Sequence, residues 1–211
     1  MTKVVVLGAG GQIAQWVIKM LADLEDMELT LFLRNARRIQ EIAPKSSKIV
    51  EGDVLDAEQL SRALRDQDVV YANLAGEVDA GAKNIVGAMH ATGVERLIFI
   101  ASLGIYNEIP GKFGEWNRRR IGSYLGPYRK AANIIEASQL RYTILRPAWL
   151  TDNNEVDYET TRKNEPFKGT EVSRKSVAAL VVGIIQSPEL WVRDNLGVNK
   201  PGTEGDRPAF M

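Results

Sequence analysis

The chain has no cysteine and only one histidine among its 211 residues. Without thiols there can be no disulfides, no thiolate metal sites and no cysteine nucleophile, a composition compatible with a reducing compartment. One imidazole, His90, cannot build a histidine-rich metal centre and argues against a Ser-His-Asp triad, so no metal site is expected and His90 reads as a residue at a helix end. Charge of one sign is also missing: Lys+Arg and Asp+Glu number 27 each. No overall field therefore draws the protein to nucleic acid or to anionic lipid, and neither is expected as a partner. There is no apolar run of the ~18 residues that a membrane helix needs, and the N-terminus enters a strand pattern without a signal-peptide layout. The resulting expectation is a cytoplasmic protein, monomer or homodimer, that acts through specific sites.

What is present is alternation. Short β-branched runs at Lys3–Leu7, Leu29–Leu33, Lys48–Val50, Val69–Ala72, Arg96–Ser102 and Tyr142–Leu145 read as strands. Gln12–Leu24, Ala57–Arg65, Ala80–Thr92, Tyr124–Ser138 and Ser173–Ser187 carry helical periodicity. Strands that alternate with helices predict a doubly wound α/β fold, a parallel sheet covered on both faces. A single domain over residues 1–211 is expected, with 148–211 contributing a small region on the substrate side. Leu103–Ser123 and Ala148–Thr170, rich in Gly, Pro, Asn or charge, read as irregular loops beyond the carboxyl ends of strands, where such sheets form their ligand crevice. The tail from Pro201 reads as loose.

The densest chemical signal follows the first strand: Gly8-Ala9-Gly10-Gly11-Gln12-Ile13-Ala14. A buried parallel strand that ends in a turn touching phosphate oxygens needs residues without a Cβ, and Gly8, Gly10 and Gly11 meet that need. The helix that follows, opening at Gln12 and Ile13, directs unpaired amides and its positive dipole end at the anion. Ala14, where a third glycine often sits, still allows close helix–strand packing.

Taken in order, the glycine loop, Arg34, Gly52-Asp53-Val54, Asn73-Leu74-Ala75-Gly76, Ala101-Ser102 and Tyr142-Thr143-Ile144-Leu145-Arg146-Pro147 resemble the atypical short-chain dehydrogenase/reductases, most nearly their NmrA-like, NAD(P)-binding group with a Rossmann fold. The resemblance spans about Lys3 to Leu150. It implies a dinucleotide whose pyrophosphate lies on the glycine loop. Arg34 stands just past the second strand, where an arginine suits a 2′-phosphate, with Asn35, Arg37 or Arg38 nearby, so NADP is favoured, NAD being possible. Asp53 would accept the adenine amino proton with Val54 covering the base; alternatively Asp53 caps the next helix. Leu74, Ala75 and Gly76 would let backbone pass the adenine ribose. Ala101, Tyr128, Pro147 and Ala148 would lie towards the nicotinamide.

For chemistry, the resemblance assigns Ser102 and Tyr124 to orienting the acceptor. The family's usual lysine, four residues beyond the tyrosine, is replaced by Tyr128, and Lys130 lies about 200° around the helix from Tyr128. A tyrosine without a neighbouring cation stays near its reference pKa of about 10 and is a poor acid. Reduction of a quinone or flavin depends more on stacking, and Phe113, Trp116, Trp149 and Tyr124 are aromatic candidates for such a slot. Arg118-Arg119-Arg120 reads as a solvated face or as an attractor for an acidic ligand. The expected activity is that of an NADP(H)-dependent oxidoreductase acting on a small carbonyl, quinone or flavin acceptor. A non-catalytic NADP(H) redox sensor is the alternative.

Overall fold

A computed structural model describes residues 1–211. Six strands follow the first part of the chain: β1 (Thr2–Leu7), β2 (Met27–Leu33), β3 (Lys48–Glu51), β4 (Val69–Ala72), β5 (Arg96–Ile100) and β6 (Arg141–Pro147). Helices α1 (Gln12–Ala22), α2 (Ala57–Leu64), α3 (Val78–Thr92) and α4 (Gly111–Glu136) connect them, with no long helix between β2 and β3. After two short strands, β7 (Trp149–Thr151) and β8 (Glu159–Arg162), come β9 (Glu171–Ser173), α5 (Arg174–Gln186) and β10 (Asp194–Asn199). The main sheet runs β3-β2-β1-β4-β5-β6-β10-β8. Every pairing in it is parallel except that of β8, which runs antiparallel to β10. The expected doubly wound sheet is present, and the antiparallel edge is an addition to it. Of residues 148–211, α5 and β10 belong to the main layers, while β7 and β9 pair in a separate two-stranded sheet.

Strand pleating sorts the apolar residues into two cores. Val4, Val6, Leu31 and Leu145 face α1 and α5. Val5, Leu7, Phe32 and Ile144 face α2, α3 and the second half of α4. Because both faces are covered, the central strands are apolar throughout, as Val4 to Leu7 shows.

Helix α4 departs most from the sequence reading. Expected to begin at Tyr124, it begins at Gly111 and runs for 26 residues, about 39 Å at 1.5 Å per residue. Its first half, Phe113 to Ile121, packs into the α1/α5 core. Its second half, Leu125 to Ile135, packs into the other. The helix thus passes from one face of the sheet to the other past the carboxyl ends of the strands. Most of the loop expected at 103–123 is therefore helical, and the one expected at 148–170 contains β7 and β8. The tail is also better anchored than expected: the Thr203 carbonyl accepts from Thr170, the Ala209 N–H donates to Glu171, and Pro208 is buried. His90 lies, exposed, in the last turn of α3.

Candidate functional site

A cleft of about 620 Å³ opens at the carboxyl ends of β1, β2, β3 and β4. It brings together Gly8, Gly10, Gly11, Arg34, Asp53, Val54, Leu74, Ala75 and Gly76, nine residues singled out in the sequence. The glycines differ in why they are glycines. Gly8 has φ of +77°, and a Cβ there would sit 2.3 Å from the Asn73 carbonyl oxygen. A Cβ on Gly11 would sit 2.1 Å from Asn73 Nδ2. Both are fixed by the close approach of Asn73 at the end of β4. A Cβ on Gly10 would make only ordinary contacts, with Leu33 at 3.5 Å and the Arg38 guanidinium at 3.7 Å. Gly10 is buried and its carbonyl accepts from Gln15 Nε2 at 3.2 Å, yet it lines the cleft with Arg38 close by.

Helix α1 begins at this loop with no side-chain cap and no acidic residue in its first turn. Its orphan amides and positive end are therefore left for an anion. Gln12 opens the helix exposed and Ile13 is buried beneath the loop; neither lines the cleft. Arg34 and Arg38 are exposed, line the cleft, and take part in no salt bridge. The carboxylate of Glu51, at the end of β3, accepts the Ala36 N–H at 2.9 Å. Arg37, in the adjoining 3-10 turn Ala36–Arg38, does not line the cleft. Asp53 does not cap α2. That position is held by Asp56, which accepts from Glu58 and Gln59; Asp53 Oδ1 accepts the Leu55 N–H at 3.0 Å. Asn84, on α3, donates to the Val54 and Leu55 carbonyls at 3.1 and 3.0 Å, fixing the segment that would cover a base.

The other expected residues lie beyond the cleft. Ala101 and Ala148 are buried, and Pro147 ends β6. Ser102 is half-buried, its hydroxyl donating to the Leu103 carbonyl at 3.2 Å. Tyr128 donates to the Leu74 carbonyl at 3.2 Å, joining α4 to the cleft rim. Burial raises the Tyr128 pKa, so this phenol stays protonated. Tyr124 stands 66% exposed on α4. Lys130 is 4.0 Å from Asp79 on α3 and does not stand in for the family lysine. Trp149 donates through Nε1 to Asn117 at 2.9 Å, and Trp116 stands between Phe113 and Trp149, at centroid distances of 6.1 and 4.8 Å. The aromatic cluster is therefore real, but half of it packs α4 onto the β6–β7 corner.

Against α4 lies a polar network that the sequence did not reveal. Arg146 is fully buried and forms an ion pair with Glu108, itself 4% exposed. Glu108 also accepts from the amides of Gly104 and Tyr106, folding residues 103–108 around its carboxylate. Arg146 Nε donates to Asn195 on β10 at 2.8 Å. Asn195 donates to the Tyr106 hydroxyl and to Glu136, and Lys163 donates to Glu136 at 2.7 Å. No helix covers β10 on this side, and the network fills that place. Burial alone would raise the Glu136 carboxyl, but hydrogen bonds from Lys163 and Asn195 outweigh it and hold the group below the ordinary carboxylate value.

This geometry agrees with the comparisons. The chain belongs to the NAD(P)H-binding family, whose profile matches residues 8–188. It is 51% identical to a Rossmann-fold NAD(P)-binding family protein from Shigella flexneri, with a TM-score of 0.87 and full coverage of both chains. A short-chain dehydrogenase/reductase (wide type) from Veillonella parvula, solved in complex with NADP, is 32% identical over 99% of both chains, with a TM-score of 0.92. The uncharacterized sugar epimerase YhfK of Bacillus subtilis is 26% identical, covering 98% of this chain and 96% of its own. No helix is long and apolar enough to cross a membrane.

Proposed function

We propose that the protein is an NADP(H)-dependent oxidoreductase acting on a small carbonyl, quinone or flavin acceptor, with quinone or flavin best suited to the site. One observation carries the coenzyme assignment: two arginines without acidic partners, Arg34 and Arg38, flank a glycine loop whose helix start is uncapped. The residues fit the group. Gly10 and the α1 amides would hold the pyrophosphate, Arg34 the 2′-phosphate, and Asp53 and Val54 the adenine. The NADP bound by the 32% identical Veillonella protein supports the same choice. The coenzyme supplies a hydride when bound.

The chain's own part is orientation. Ser102 and Tyr124 are the groups that would orient an acceptor, and Ala101, Pro147 and Ala148 would shape the nicotinamide side. The preference for quinone or flavin rests on the missing acid: Tyr128 spends its proton on Leu74, and no lysine attends Tyr124. The same lack keeps an NADP(H) sensor without turnover as the second reading.

Titration of tryptophan fluorescence with NADPH and NADH tests the coenzyme. NADPH should bind more tightly, and Arg34→Glu should weaken it by about tenfold or more while leaving NADH little changed. Equal affinities of the wild type for the two coenzymes would refute the assignment. Consumption of NADPH with quinones, flavins and aldehydes, followed by absorbance, separates enzyme from sensor.

A further inference from the structure

Along α4, Trp116, Arg120, Tyr124 and Tyr128 follow one another at intervals of four residues. Such positions form one slanting ridge on a helix, here about 18 Å long. The ridge begins at the aromatic cluster and ends at Tyr128, which touches the rim of the coenzyme cleft through Leu74. Its middle is unpartnered. Tyr124 is the most exposed aromatic side chain of the protein, at 66%. The Arg120 guanidinium lies over Trp116 at 5.6 Å and has no carboxylate partner, whereas Arg119 pairs with Glu115 and Arg118 with Asn107.

We propose that this ridge is the recognition surface for the acceptor, and that the acceptor is a planar aromatic acid: its ring lies on Tyr124 and its anionic group meets Arg120. An exposed phenol ring offers stacking, and a guanidinium lying over an indole keeps its donors free for a carboxylate, sulfonate or phosphate. The surface is locally basic although the chain is neutral overall, with 27 residues of each sign. Selection for an acid is thus built into this one helix rather than into the field of the molecule. This inference rests on the oxidoreductase reading of the same crevice, because it places the acceptor beside the coenzyme.

The test uses anthraquinone-2-sulfonate and the neutral 2-(hydroxymethyl)anthraquinone, with binding to the full chain measured by equilibrium dialysis in the presence of NADPH. The sulfonate should bind about tenfold more tightly, and the difference should shrink as ionic strength rises. Arg120→Glu should abolish the discrimination, and Tyr124→Ala should weaken both quinones alike, with NADPH affinity unchanged in each variant. Equal binding of the two quinones, or discrimination that survives Arg120→Glu, overturns the proposal. So does single-stranded oligothymidylate that competes better than the sulfonate, which would mark a nucleic-acid surface. Arg120-dependent binding without NADPH consumption would uphold this site and remove the oxidoreductase reading instead.

Discussion

At the scale of single residues, the most consequential side chain outside the cleft is Arg146. Its guanidinium has no exposure, and it compensates a carboxylate that is nearly as buried. Removing one member of such a pair strands the other charge in a low-dielectric interior, which typically costs about 3–5 kcal/mol. Arg146→Met should therefore lower stability to urea by about that amount, and adding Glu108→Gln should recover part of it. A single variant as stable as the wild type would show that the amides of Gly104 and Tyr106 suffice for Glu108. Arg146 was visible in the sequence only as part of a family motif. Its partner, 38 positions away, carried no signal of its own. Asn73 likewise stands in the sequence only as part of a family motif, and its role in dictating Gly8 and Gly11 emerges only from the approach distances.

Among the elements, β1, β2, β4, β5 and β6 are legible because each holds an apolar run buried on two faces, and β3, half-buried at the sheet edge, is legible from its β-branched pair Ile49-Val50. β10 is not, since Asp194-Asn195-Leu196-Gly197-Val198-Asn199 has only Leu196 and Val198 for its apolar face. Its other face meets the polar network at Asn195, and Phe167 at Gly197. The first half of α4 is illegible for a related reason. A helix that crosses between two cores has no continuous apolar stripe, and Arg118–Arg120 and Gly122 dilute what periodicity there is. Within the half that reads as helix, Pro127 withholds the N–H that would bond the Ser123 carbonyl. Such a helix is open to improvement. Gly122 is exposed, and an added methyl would meet nothing within 4 Å. Gly122→Ala should raise stability by about 0.5–1 kcal/mol, seen as an increase of about 1–4 °C in the thermal midpoint. An unchanged or lower midpoint would mean that this turn is not helical in solution.

For the molecule as a whole, Glu136 ties three distant parts together: the end of α4, β10 through Asn195, and the segment after β8 through Lys163. Its folded pKa lies below the ordinary value of 4.5. The unfolded chain therefore takes up this proton first as pH falls, and the stabilisation, fully present above about pH 4.5, is lost as pH drops through the folded value. Urea midpoints at pH 7 and pH 3.5 should fall further for the wild type than for Glu136→Gln, which has no such proton to gain. Equal losses would place the acid sensitivity elsewhere.

One consequence of the crossing helix concerns two guests at once. Tyr128 donates to the Leu74 carbonyl at the rim, and Tyr124 and Arg120 stand about one and two turns away on the same helix. Under the reading proposed above, a coenzyme at the rim and an acceptor along the helix would share this one contact. Whatever factor one guest then imposes on the other through Tyr128, reciprocity returns to the first.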